Sequence, residues 1–200
     1  MNVISNILYW ISTGLLVPVI VLLIFFFIRA VILAGAFFGQ YMQHQKISVP
    51  LNNRIAELTP DSLQEFADSL PEKPSGTLTS YAAKIIAAKG NEAKTELLLS
   101  EFEIEASGEL ATSGMLTKMG PILGLMGTLI PMGPALVGLA TGDIASMAYN
   151  MQVAFATTVV GLVVSAVGFL TRQVKERWSV KNLAMLEYLA ETVKADRRKK

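Results

Sequence analysis

Apolar residues gather in three long runs that contain no charged side chain. The runs cover residues 1–28, 119–142 and 144–171, and a long polar stretch of mixed charge separates the first run from the second. Each run exceeds the roughly 20 residues that cross a bilayer as a helix. The pattern predicts an all-α membrane protein with three transmembrane helices and a helical segment between the first and second.

The runs divide the chain into segments of different expected environment. We predict membrane crossings at about 12–33, 121–139 and 151–170, since these stretches hold the most apolar residues. The full division is an external N-terminus at 1–11, a first transmembrane helix with its cytoplasmic extension at 12–38, a helical cytoplasmic segment at 39–118, a second transmembrane helix at 119–140, a short external loop at 141–150, a third transmembrane helix at 151–171 and a basic cytoplasmic tail at 172–200.

Lysine and arginine predict the orientation. Residues 1–14 and 140–150 contain neither, whereas 39–118 holds seven and 171–200 holds nine. Loops rich in these residues stay in the cytoplasm. The N-terminus is therefore expected outside and the C-terminus in the cytoplasm, which agrees with three crossings.

The segment at 39–118 has the signals of three helices. Thr59 precedes a proline and favours a helix start there, and Leu63, Phe66 and Leu70 follow at helical spacing before a break at 70–76. A second helix is expected at 77–89, closed by Gly90, and a third from about Glu92. The third carries an acidic run that is either a solvated face or a docking surface: Glu96, Glu101, Glu103, Glu105 and Glu109.

Small residues recur along the second and third spans at spacings of four and three, which places them on one side of each helix. Small residues let helix backbones approach closely in lipid. We interpret the stripes as packing faces, either within one hairpin or between subunits of an oligomer. The predicted packing glycines are Gly120, Gly124, Gly127 and Gly138 in the second span and Gly161 and Gly168 in the third.

Two prolines interrupt the second span. Pro131 and Pro134 each lack the backbone N–H that a helix interior uses. We predict that they kink or loosen the helix midway, with the freed carbonyls satisfied by neighbouring helices or water.

Composition excludes several classes of function. The chain has no cysteine, which excludes disulfides, thiolate catalysis and cysteine metal sites. It shows no hydrolase or metalloprotease motif and no paired intramembrane acids. We expect no enzyme activity, no catalytic residue, no metal, no cofactor and no nucleic-acid partner.

Each of three isolated polar residues has two possible interpretations. Arg29 either snorkels to the inner headgroups or pairs with a partner or a lipid phosphate. His44, the single histidine, is either an interfacial side chain or a pH or metal sensor. Asp143 either shapes the external turn or serves an ion entrance.

Three motifs resemble the MotA/TolQ/ExbB proton-channel family. They are GPILGLMGT at 120–128, GLATGD at 138–143 and ATTVVGL at 156–162, and they recur in the order and spacing typical of that family. The resemblance covers about 92–172. Three spans in 200 residues are closer to the TolQ/ExbB branch than to the four-span flagellar stator.

The resemblance implies a mechanism and partners. Family members form a homo-oligomer, a pentameric ring, in the inner membrane around a dimer of single-span MotB/TolR/ExbD-like proteins. An aspartate of that partner carries the proton, and ring threonines line the pore beside it. By motif these are Thr128, Thr158 and Thr157. The implied function is a motor subunit that couples ion flow to mechanical work; the alternative is a non-conducting oligomeric scaffold.

Overall fold

The computed structural model describes residues 2–70 and 76–199, and the predicted break between the first two cytoplasmic helices falls largely outside them. All regular elements in the described part are helical, which confirms the all-α expectation. They are α1 (Asn2–Gly14), α2 (Leu16–Gln43), a π-helical turn (His44–Ser48), α3 (Val49–Ala56), a 3₁₀ turn (Pro60–Ser62), α4 (Leu63–Asp68), α5 (Thr77–Ala87), α6 (Glu92–Thr141) and α7 (Ile144–Lys199).

Three helical stretches in the described residues are long and apolar enough to cross a membrane: Ile7–Ala56, Glu92–Thr141 and Ile144–Arg197. This confirms the expected number of spans. The chain divides into two compact units, which we call the membrane unit (Met1–Gly35 and Thr112–Arg172) and the polar unit (Ala36–Ala111 and Gln173–Lys200).

All three membrane helices contribute to the core of the membrane unit. The α2 residues of this core recur at helical spacing, and those of α6 recur every seventh residue. The core residues are Val19, Leu23, Phe26 and Ala30 of α2, Leu116, Leu123 and Ile130 of α6, and Val164 of α7. The outward-facing side chains are also apolar, as a helix bundle in lipid requires.

The first span is not one uninterrupted helix. α1 ends at Gly14 and α2 begins at Leu16, inside the predicted crossing at 12–33. Pro18 explains the local loosening, because it has no N–H for the carbonyl of Gly14.

The α6 and α7 backbones touch where glycines face each other. A Cβ placed on Gly161 would lie 2.5 Å from the carbonyl oxygen of Gly120, and one placed on Gly120 would lie 2.5 Å from that of Gly161. A Cβ on Gly168 would lie 2.7 Å from the amide nitrogen of Thr117. No side chain fits in these gaps, so the small-residue stripes set the distance between the two helices.

A proline of α6 is compensated from α7. Pro121 cannot donate to the carbonyl of Thr117, the residue four positions earlier. The hydroxyl of Ser165 donates to that oxygen at 2.9 Å. The bond satisfies an acceptor that would otherwise stay unpaired in an apolar region, where an unpaired backbone group is costly.

The turn between α6 and α7 uses only two residues. Gly142 has φ +76°. Its N–H donates to the Leu139 carbonyl oxygen at 3.2 Å, and the Asp143 N–H donates to the Gly138 carbonyl oxygen at 2.8 Å. This is a Schellman helix end. The Asp143 carboxylate then accepts the Ser146 N–H at 3.0 Å and caps α7.

The polar unit has its own apolar core, built from α3, α4, α5, the start of α6 and the end of α7. Ile55, Ile85, Leu186 and Leu189 are fully buried in it. The predicted helix start at Thr59 is confirmed by a capping box with Ser62.

We expect Gly161→Ala to lower the free energy of unfolding in detergent by about 1–3 kcal/mol, because the new methyl group collides with backbone atoms that cannot move aside. Gly35→Ala is the matched control, since nothing lies within 4 Å of a Cβ at Gly35. Thermal unfolding followed by circular dichroism compares the two. Equal stability of both variants would contradict the close approach.

We expect Ser165→Ala to lower the free energy of unfolding by about 1 kcal/mol, the usual contribution of one hydrogen bond. In a Pro121→Ala background the cost should shrink, because residue 121 regains an N–H for the Thr117 carbonyl. A double-mutant cycle of unfolding free energies tests this. Additive effects would show that Ser165 does not replace the missing backbone bond.

Candidate functional site

Two threonines of the membrane unit keep part of their surface uncovered. Thr128 is half-buried, and its hydroxyl donates to the Leu125 carbonyl at 2.7 Å. Thr158 is also half-buried and donates to the Ala154 carbonyl at 3.0 Å. Each O–H is used within its own helix, but the oxygen lone pairs remain able to accept a hydrogen bond.

Thr157 lies in a different environment. It is 6% exposed and donates to the carbonyls of Val153 and Ala154, both at 3.0 Å. Its side chain occupies the space opposite Gly127, where an added Cβ would come within 2.5 Å of its Oγ1. In the single chain Thr157 is therefore a packing residue between α6 and α7.

Thr128 and Thr158 lie at similar depth. Gly127 contacts Thr157, and a Cβ on Gly124 would lie 3.5 Å from the Cα of Thr158. Thr128 is the residue after Gly127 and lies one turn from Gly124, and Thr158 is the residue after Thr157. Both candidate threonines therefore lie beside the same part of the contact between α6 and α7.

The spans that carry these hydroxyls contain no ionisable side chain. Residues 121–139 and 151–170 have no Asp, Glu, Lys, Arg or His. Arg29 lies on α2 and is exposed. Asp143 caps α7, which gives it a structural role in the turn. Among the described residues no group of His, Cys, Asp or Glu is arranged to hold a metal ion.

All six predicted packing glycines face neighbouring atoms of the same chain. Gly138 lies at the turn, where a Cβ would meet the Asp143 carbonyl oxygen at 3.0 Å, and the other five lie along the contact between α6 and α7. The small-residue stripes of α6 and α7 therefore pack against each other within one subunit.

The prolines Pro131 and Pro134 lie inside α6, which continues through both. Pro131 is fully buried and Pro134 is half-buried. A kink or loosening at these positions stays a prediction.

A family model described as the MotA/TolQ/ExbB proton channel family matches residues 79–187, more than half of the chain. The chain belongs to the MotA/TolQ/ExbB proton channel family. Searches of curated proteins and of solved structures gave no match.

Membership in the MotA/TolQ/ExbB family makes the chain a multi-pass membrane protein of the ion-channel or motor-subunit type. The matched region contains most of α5, all of α6 and most of α7, with every candidate threonine and glycine. α1, α2 and α3 lie outside it.

The polar unit contains an aromatic cluster that sequence reasoning missed. Trp178 of α7 stacks on His44 with ring centroids 4.1 Å apart, and Phe37 stacks on Trp178 at 5.8 Å. Tyr41 packs beside both Phe37 and Trp178. The spacing of residues 37, 41 and 44 on one helix face was the available signal, but the distant Trp178 could not be paired with it from sequence.

The cluster borders a cavity of about 200 Å³. Gln40, Gln43, Lys175 and Asn182 contribute polar atoms to its wall. His44 begins the π-helical turn, in which the Val49 N–H reaches the His44 carbonyl. Burial, and then the nearby Lys181 charge, lower the pKa of His44 below its ordinary value.

We expect His44 to titrate with a midpoint below pH 6.5 when followed by Trp178 fluorescence in a Trp10→Phe variant. Because its pKa is lowered, the packed state prefers neutral imidazole; this stabilisation is complete above pH 6.5 and is lost as the pH falls through the lowered pKa. Lys181→Gln should move the midpoint upward. His44→Gln should abolish the transition, and a transition that persists in it would contradict the assignment.

Proposed function

We propose that the chain is the ring-forming subunit of a motor driven by the proton-motive force. Several copies, five by analogy with the family, surround single-span partners of the MotB/TolR/ExbD type in the inner membrane, with the N-terminus outside. An aspartate of the partner carries the proton, and ion flow is coupled to mechanical work. The observation that carries the proposal is the pair of half-buried threonines in charge-free spans of a MotA/TolQ/ExbB family member.

The division of labour between subunit and partner follows from the absence of ionisable groups. A proton relay across a membrane normally uses an ionisable side chain. Residues 121–139 and 151–170 offer none, so the carrier has to be supplied by another chain. A carboxyl group is the suitable carrier, because it can hold and release one proton.

Hydroxyl groups suit a carboxyl carrier in both of its states. In an apolar pore the pKa of a carboxyl group rises, and the neutral form is favoured. The lone pairs of Thr128 and Thr158 can accept from the neutral carboxylic acid while their own O–H groups stay bonded to Leu125 and Ala154. Rotation of the hydroxyl lets it donate to the ionised form. A lysine or arginine in the same place would hold the carboxylate ionised and block turnover.

The energy available per ion is limited. One charge that crosses 100 mV yields about 2.3 kcal/mol, so useful work requires several ions in succession. A ring of identical subunits provides equivalent positions at which these ions can be bound one after another.

The alternative is a non-conducting scaffold. It draws support from the finding that all three threonine hydroxyls donate within their own helices, as purely structural threonines do. Proton flux separates the two candidates.

The test is proton influx into vesicles that hold the chain together with its aspartate-bearing partner. We expect Thr128→Val with Thr158→Val to slow influx about 30-fold, if each lost hydrogen bond adds about 1 kcal/mol to the barrier. Thr141→Val is the matched control, because Thr141 also donates to its own helix but lies at the turn. Unchanged influx in the double variant would refute the pore-lining assignment, and no influx in any vesicle would favour the scaffold.

A further inference from the structure

The cavity beside the aromatic cluster of the polar unit has two walls of different chemistry. On α7, Lys175, Ser179 and Asn182 recur at spacings of four and three, so they share one face of the helix. The wall from α6 contributes the apolar ring of Phe102 and the carboxylate of Glu109. Hydrogen-bond donors therefore line one side of the cavity, and an acid lies on the other.

The donors on α7 lack acceptors within the described chain. The Oδ1 of Asn182 accepts from the Nδ2 of Asn52 at 2.9 Å, which leaves the amide hydrogens of Asn182 unused. The side chains of Lys175 and Ser179 form no hydrogen bond or ion pair with residues 2–70 or 76–199. All three donors are half-buried, so water covers them only in part. A bound anion would supply the missing acceptors.

The charges on the two walls are opposite and do not neutralise each other. Among the described lining residues, Lys175 and Glu109 carry the only charges at neutral pH, because the lowered pKa of His44 keeps its ring neutral. Neither charged group has an ion-pair partner in the described part of the chain. A purely anionic ligand would gain at Lys175 but be repelled by Glu109.

The two charged residues lie at similar heights in the polar unit. Lys194 pairs with Glu92, so α6 and α7 run antiparallel with residue 92 level with residue 194. By equal counts along the two helices, Glu109 is level with residue 177, two residues from Lys175. Two residues correspond to about 3 Å of helix rise. One small molecule with an anionic and a cationic group can therefore reach both walls.

The size of the cavity and its row of donors narrow the class of ligand. Pockets for drug-sized ligands measure about 300–1,000 Å³, so a cavity of about 200 Å³ takes a smaller group. Residues 175–182 extend over about 10 Å of helix, and a carboxylate offers only two acceptor oxygens to them. A phosphate ester offers more, and lysine is a common phosphate ligand. An ammonium group on the same molecule turns the repulsion by Glu109 into attraction.

The position of the cavity along α7 favours a membrane lipid as the source of this group. The predicted third crossing ends at residue 170, and Lys175 lies five residues further, which is about 8 Å of helix. The headgroup layer extends roughly 5–8 Å beyond the hydrocarbon core on each side. The neighbouring Trp178 and Tyr41 are of the residue types that are enriched at this level.

We propose that the cavity binds a phosphate ester that also carries an ammonium group, with the phosphate at Lys175 and Ser179 and the ammonium at Glu109. Phosphatidylethanolamine and the soluble ester glycerophosphoethanolamine share this chemistry. The site does not depend on the proposed motor function, since a non-conducting scaffold would contain the same cavity.

Trp178 lines the cavity and provides the readout for a binding test. It is the only tryptophan left in a Trp10→Phe variant. The delipidated full-length variant in dodecyl maltoside at pH 7.5 is titrated with phosphatidylethanolamine, with phosphatidylglycerol, which has no ammonium group, and with glycerophosphoethanolamine. We expect a saturable fluorescence change with phosphatidylethanolamine and a weaker response to phosphatidylglycerol.

The three titrations separate the possible sources of the ligand. Saturation by glycerophosphoethanolamine without a response to lipid would assign the site to a soluble ester. Equal affinity for both lipids would contradict the role of the ammonium group. Native mass spectrometry detects lipid that binds elsewhere on the chain. Bound lipid without a change at Trp178, or no binding of any of the three compounds, would overturn the proposal.

Lys175→Gln should weaken the binding of phosphatidylethanolamine about tenfold, because it removes a charge-assisted hydrogen bond to the phosphate. Lys181→Gln is the matched control, since Lys181 is exposed on α7 and does not line the cavity. We expect the control to bind as the unsubstituted chain does. Equal weakening in the two variants would indicate a general effect of charge and contradict the site.

Glu109→Gln should reverse the preference between the lipids. Binding of phosphatidylethanolamine should weaken by up to about fivefold, as expected for the loss of an exposed ion pair, whereas binding of phosphatidylglycerol should strengthen. Glu103→Gln, an exposed change on α6 outside the cavity, is the control. A purely structural role of Glu109 would change both affinities in the same direction, and that result would refute its contact with the ammonium group.

Discussion

The membrane unit depends on the direct approach of two backbones. The carbonyl oxygens of Gly120 and Gly161 occupy the space that a Cβ would need, so α6 and α7 touch without side chains between them. Lipid provides no hydrophobic force between apolar helices, and such close packing replaces it. The remaining surfaces of both helices are then free to meet lipid, the first span or other chains.

The same contact explains how a span tolerates residues that are poor helix formers. Glycines are destabilising in an isolated helix, but here they allow the approach of α7. Pro121 removes a backbone bond, and the approach brings Ser165 close enough to supply the missing donor. The composition of the second span therefore makes physical sense only for a paired helix.

Sequence predicted the elements whose causes are local. Long apolar runs predicted the three spans, and Thr59 predicted a helix start. Contacts between residues that are distant in the sequence could not be predicted in the same way. The sequence left open whether the glycine stripes meet within one hairpin or between subunits, and the structure shows that they meet within one chain. The stacking of His44 on Trp178 joins residues 134 positions apart, which no local pattern indicates. The turn between α6 and α7 takes only two residues, because a Schellman end and an Asp143 cap need no further residues. The external segment at 141–150 stays a prediction.

The bond from Ser165 to Thr117 has a mechanical consequence. A slide of α7 by one turn would bring Gly161 or Phe169 opposite the carbonyl of Thr117, and neither has a hydroxyl. The oxygen would then stay unpaired in hydrocarbon, at a cost of several kcal/mol. Piston-like motion of one helix along the other is thereby disfavoured. Whatever displacement the protein undergoes in the bilayer, the hairpin should travel as a rigid body.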